Sequence, residues 1–189
     1  MFDFLSRKMT GAVMRGGVVI LFACAMAVPA YASEKTWDDA GTIAKNGLVA
    51  AALILPAAKK DLNGGLQSLG SMGVAYIITQ TGKDSFPKLR PDGSDYRSFP
   101  SGHTSMAFSA AATMHNRYGW KVGLPAQAVA AFVGVSRIKA KKHDWADVLT
   151  GMAIGQASGF LITNKRNENV VIIPFGDTKG GGVAALVRF

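Results

Sequence analysis

Three short groups, which together supply two histidines, three cations and a carboxylate, lie within about one third of this 189-residue chain. The first group is Pro100-Ser101-Gly102-His103. Pro100 suits the approach to a helix, Ser101 is a good N-cap, and Gly102 lets a ligand come close to the backbone. Met106, Ala107, Ala110, Ala111 and Met114 then recur at helical spacing, which predicts a helix over 104–118. A helix N-terminus with free N–H groups attracts anions, and His103 adds an ionisable nitrogen beside it. The second group lies upstream, Lys83 and Arg90-Pro91 with six residues between them. The third lies downstream: Ser136-Arg137, five residues, His143, three residues, Asp147. His143 and Asp147 are neighbours if they share a helix turn. Anion binding and proton transfer are the chemistry such a set can do. Each group alone also has a plain structural reading: a capped helix carrying a His, a His–Asp staple, or an Arg capping its helix. Those readings must all hold at once and in this order.

The ordered set K-x6-R-P, P-S-G-H, S-R-x5-H-x3-D resembles the three-part signature of the type 2 phosphatidic acid phosphatase (PAP2) superfamily. That family holds lipid phosphatases, bacterial non-specific acid phosphatases and vanadium haloperoxidases. The resemblance is close over 83–147 and general in the flanks. It implies that His143 is the nucleophile, through a phosphohistidine, that Asp147 orients it, and that His103 protonates the leaving oxygen. Lys83, Arg90 and Arg137 would neutralise the equatorial oxygens, with Ser101 and the Gly102 N–H bonding them. A neutral nucleophile and a protonated acid need split pKa values, which predicts a bell-shaped rate profile on the acid-to-neutral side. Few carboxylates stand near the histidines and no paired-His spacing occurs, so neither a metal site nor a cofactor is expected. The resemblance further implies inhibition by vanadate.

The length suits one domain. Lys and Arg total 21 against 12 Asp and Glu, a net charge of +9. That balance favours anionic partners, yet no basic helix or aromatic stacking motif points to nucleic acid. Residues 1–32 read as a secretory signal: Arg7, Lys8 and Arg15, then an apolar stretch over 17–28, then Ala30-Tyr31-Ala32. Cys24, the one cysteine, falls inside it, so no disulfide is expected in the mature chain. Export places the protein in the periplasm or on the periplasmic face of a bacterial membrane.

The elements that must position the site follow. Residues 33–39 look like a mobile linker. A helix is predicted over 42–58, capped by Thr42 or by Asp38-Asp39, apolar all round at its centre and ended or kinked by Pro56. A second is predicted over 66–79, with Gly70 and Gly73 allowing close packing. Lys83 and Arg90 then belong to a loop over 81–99 at the mouth of the site. After the helix at 104–118 come a turn over 116–123 and a helix over 124–138. Trp120 in that turn serves packing or a membrane–water boundary. The basic run 139–142 reads as a solvated turn, with lipid head groups as the alternative. The last helix is predicted over 144–162, where Gly151, Gly155 and Gly159 favour a close helix pair. His115 reads as structural.

The expected fold is therefore all-α: a PAP2-like bundle of about five helices over 33–165, followed by a short C-terminal β-hairpin tail over 166–189. The expected activity is a metal-independent phosphatase acting on a membrane lipid. Phosphatidic acid, phosphatidylglycerophosphate, undecaprenyl diphosphate and lipid A are the candidates by resemblance. A soluble periplasmic non-specific acid phosphatase is the alternative, and a non-catalytic lipid-binding envelope protein is the alternative of another class. Helices of this length suit a buried core or thin spans, and the expected partners are a phosphorylated lipid and a membrane surface.

Overall fold

The computed structural model describes residues 32–164, 170–177 and 180–187. The predicted export signal up to residue 31, Cys24 with it, and residues 165–169 of the polar break lie outside these. The described chain is an all-α bundle of five helices. They are α1 (Glu34–Ala58), α2 (Leu62–Ser85), α3 (Gly102–Tyr118), α4 (Trp120–Lys139) and α5 (Trp145–Ile162). Two strands follow, β1 (Val170–Asp177) and β2 (Gly180–Val187), antiparallel with Val170 opposite Val187.

The first helix starts earlier than its apolar pattern predicts. Ser33 caps it, accepting from the Thr36 N–H at 3.2 Å, and Glu34 favours its first turn. Residues 34–39 are thus helix rather than linker, and neither Thr42 nor the Asp pair is the cap. Pro56 lies in the last turn, where the helix is about to end. The centre of α1 is apolar on every side but only half buried: Leu48, Ala52 and Leu55 enter the core while Ile54 is 65% exposed.

The second helix is likewise longer at both ends. Asp61 caps it by accepting from the Gly64 N–H at 3.0 Å, and it runs on through Lys83. Gly70 and Gly73 are not its close-packing residues, since a Cβ at Gly73 would meet nothing within 4 Å. The tight positions are Gly64, against Asp61 and Arg117, and Gly82, against Pro100. Between α3 and α4 the predicted eight-residue turn contracts to Gly119, whose φ of +81° suits glycine. Trp120 opens α4 and is 64% exposed, so it packs into no core.

The third helix is the axis and touches the other four. Ala107, Ala110, Ala111, Ala112 and Met114 are buried on it, and so are Thr104, Ser105, Ser109 and Thr113. The buried hydroxyls are matched across helices: Thr79 with Ser105 at 2.8 Å, Ser158 with Ser109 at 3.1 Å, Thr163 with Thr113 at 3.3 Å. The Gly151, Gly155 and Gly159 repeat of α5 does what its spacing predicts. A Cβ at these positions would stand 2.6 Å from the Ser101 carbonyl, 2.4 Å from the Ser105 carbonyl and 2.4 Å from the Ala112 Cβ.

The bundle has two poles. At one, the ends of α2 and α4 meet the starts of α1, α3 and α5. At the other, Arg117 of α3 forms a buried ion pair with Asp61 at 2.6 Å, and Tyr118 donates to Asp61 at 2.9 Å. His115, in the last turn of α3, is a packing residue near this pole, its ring 5.8 Å from that of Phe160.

Candidate active site

At the first pole the three sequence groups converge. A cleft of about 380 Å³ is lined by Lys45, Tyr76, Gln80, Lys83, Arg90, Gly102, His103 and His143, among others. Ser101, Arg137 and Asp147 are buried just behind that lining.

The start of α3 is locked to the start of α5 by the Ser101 N–H, which donates to the Asp147 carbonyl at 3.0 Å. Gly102 opens α3 and faces the cleft. The first N–H groups of any helix lack intrahelical acceptors, so this turn presents donors. Ser101 stands at the N-cap position without capping: its hydroxyl pairs with that of Thr104 at 2.9 Å. It therefore lies beneath the cleft, not on its wall.

Lys83 is in the last turn of α2, not in a loop, and is buried. Its ammonium donates to the carbonyls of Arg97 at 2.6 Å and Pro100 at 2.7 Å. Burial, with Arg90 and Arg97 nearby, lowers its pKa to about 8. Arg90 belongs to the loop after α2, which is ordered by backbone bonds from Lys88, Arg90 and Ser98. Arg90 is held by Asp95 at 2.7 Å. The basic run is not a freely solvated turn: Lys141 pairs with Glu34 at 2.7 Å and Lys142 with Asp92 at 2.6 Å, tying loop to helix.

His143 precedes α5 instead of sharing its first turn. Asp144 caps that helix, and a reciprocal capping box joins Asp144 to Asp147. This geometry sets the His143 Nδ1 at 3.7 Å from the Asp147 Oδ2, too far for a hydrogen bond. Asp147 is fully buried and has other partners: Ser98 donates at 2.5 Å, Lys88 at 2.8 Å and the Asp144 N–H at 3.1 Å. Burial opposes its charge, but those donors outweigh it and hold its pKa below the usual carboxylate range. For His143, burial and the facing cations Arg90 and Lys83 depress the imidazole and keep it neutral. His103 is lowered to about 4, by burial first and then by Arg137 and Lys45.

Arg137 is 2% exposed and pairs with Asp38 of α1. Its Nε and the His143 Nδ1 are buried with no hydrogen-bond partner among the described residues. Such atoms are costly to leave unpaired, and the Asp147 carboxylate stands 3.7 Å from the His143 Nδ1.

Sequence reasoning missed one wall of the site. Asp38, Thr42 and Lys45 recur on one face of α1. Asp38 holds Arg137, the Thr42 hydroxyl meets the His103 Nε2 at 3.2 Å, and Lys45 lines the cleft. The signal was present in Ser33-Glu34 and the Lys35–Asp39 pair at helical spacing, which mark an earlier helix start. Lys88 and Ser98, which hold Asp147, carry no such mark.

The sequence model of the PAP2 superfamily matches residues 64–170. A lipid A 1-phosphatase of Porphyromonas gingivalis is 41% identical over 96 residues, 48% of this chain and 22% of that protein. A lipid A 4'-phosphatase of Helicobacter pylori is 32% identical over 114 residues, 52% of this chain and 58% of that protein. The chain thus spans between about a fifth and three fifths of these relatives. Among solved structures, Aquifex aeolicus LpxE superposes with a TM-score of 0.61 at 20% identity, covering 76% of this chain and 92% of that one. The transmembrane PAP2-type phosphatidylglycerolphosphate phosphatase of Bacillus subtilis gives 0.57 at 21%, covering 79% and 84%. At these identities the two structures speak for the fold.

Proposed function

The chain belongs to the PAP2 superfamily, and we propose that it is a metal-independent phosphatase removing a phosphate group from a membrane lipid. The observation that carries this reading is the convergence of Lys83, Arg90, Gly102, His103 and His143 on one cleft, with Arg137 and Asp147 behind it. The lipid A phosphatase relatives make a phosphorylated lipid of that class the first substrate to try.

In this reading the phosphoryl group sits on the first turn of α3. Lys83, Arg90 and Arg137 share its negative charge. His143 is neutral because burial and the nearby cations disfavour its imidazolium. A shift of about 0.5–0.8 Å would bring its Nδ1–H to Asp147, leaving Nε2 to attack phosphorus. The P–O bond to the lipid breaks as the N–P bond forms, and His103 gives its proton to the departing oxygen. Water then attacks the phosphohistidine, returns a proton to His103 and releases orthophosphate. Asp147, kept ionised by Lys88 and Ser98, balances the positive imidazole in between.

The protein is proposed to be membrane-bound through its exposed apolar side chains, with the site at the periplasmic face. Among the described residues α1 is long and apolar enough to cross a membrane. The test is phosphate release by purified protein in chelator, from lipid A, phosphatidic acid, undecaprenyl diphosphate and para-nitrophenyl phosphate. His143→Ala should lose on the order of 10³-fold or more of the turnover, and vanadate should inhibit the wild type. Equal rates on all four substrates would favour a non-specific acid phosphatase. No release from any of them by folded protein sinks the reading.

A further inference from the structure

Most cations at the cleft have partners within the chain. Arg90 is held by Asp95, Arg137 by Asp38, and Lys83 by two carbonyls. Lys45 differs. It lines the same cleft, is half-buried, and has no hydrogen bond or ion pair to any described residue. It lies outside all three motif segments. One turn away on the same helix face, Thr42 touches the His103 ring that would serve the leaving oxygen.

The position of α1 is tightly set. A Cβ at Gly41 would come 1.9 Å from the Ser136 hydroxyl, so only glycine lets α1 lie this close to α4. Asp38 fastens the same face to Arg137. Lys45 is thus presented by a fixed helix. An anion beside it would give this ammonium a charged partner within the cleft.

We propose that Lys45 is a specificity-determining residue that binds a second anionic group on the leaving side of the substrate, as in a diphosphate. This rests on the phosphatase reading above. His143 would take the terminal phosphoryl group. The bridging oxygen would leave on the inner phosphate with the proton from His103, and Lys45 would hold that inner phosphate throughout.

The test compares full-length wild type, Lys45→Met, Lys45→Arg and His143→Ala. The probes are farnesyl diphosphate, inorganic diphosphate and para-nitrophenyl phosphate, whose leaving group carries no second phosphate. Lys45→Met should lower kcat/KM for the diphosphates by about tenfold to a hundredfold more than for the nitrophenyl ester, mostly through KM. Lys45→Arg should restore most of that preference. An effect on farnesyl diphosphate alone would place the anion within a lipid head group; an effect on both would assign it to diphosphate itself. A proportional change on all probes, no change on any, or a wild type that turns over only the nitrophenyl ester overturns the proposal. In those cases loss of turnover in His143→Ala leaves the phosphatase reading standing. A wild type inert on every probe takes both down.

Discussion

The two histidines of the cleft share a depressed pKa, but the proposed mechanism gives them opposite needs. In it His143 attacks as the neutral imidazole, which burial and the cations around it favour. His103 would have to hold a proton, yet burial, Arg137 and Lys45 lower its pKa to about 4. A dianionic phosphoryl group beside it adds the negative charge it lacks and raises that value. The alkaline limb of kcat/KM reports free enzyme, and that of kcat reports the loaded site. We therefore expect the alkaline limb of kcat to lie about one pH unit or more above that of kcat/KM. Coincident limbs in stopped assays from pH 4 to 9 would count against His103 as the acid. The principal groups of this site were legible in the sequence: Lys83, Arg90, Gly102, His103, Arg137, His143 and Asp147 all meet at one pole. What was not legible is the support. Lys88 and Ser98 reach Asp147 across a loop whose shape depends on long-range backbone bonds, and no local pattern encodes those.

The helices were legible in number and type, and their ends less so. Apolar periodicity marks where a helix is buried, whereas caps mark where it begins. The capped starts of α1 and α2 carry polar first turns that the periodicity passes over. Glycines divide in the same way. Spacing identified the α5 repeat because a regular stripe implies a facing helix. It misjudged Gly70 and Gly73, since isolated glycines carry no such implication. This separates two substitutions of equal chemistry. Gly155→Ala drives a methyl to 2.4 Å from the Ser105 carbonyl and should cost about 1–3 kcal/mol of stability. Gly73→Ala meets open space and should stabilise by up to about 1 kcal/mol through helix propensity. Denaturant unfolding of the two variants in detergent checks the pair, and equal destabilisation would refute the packing argument.

At the scale of the whole molecule, small and large apolar residues divide unevenly. The contacts between α2, α3 and α5 are rich in Ala, Gly, Ser and Thr joined by hydroxyl contacts, with Met72 and Phe108 buried among them. The exterior carries Ile54, Leu62, Ile77 and Leu161, each more than 60% exposed. Small residues at helix contacts and large apolar ones outside suit a lipid solvent, which supports the proposed membrane location. The protein should stay with membranes through a carbonate wash and come away only in detergent. Release by carbonate would move the reading toward a soluble acid phosphatase. One feature of the bundle bears on sidedness as well. Lys121 follows the Gly119 turn, is exposed and lies at the pole away from the cleft. An exposed side chain clear of the core tolerates replacement. A cysteine placed there gives the molecule a compass needle: whichever compartment labels it faces the blunt pole, and the cleft opens at the other.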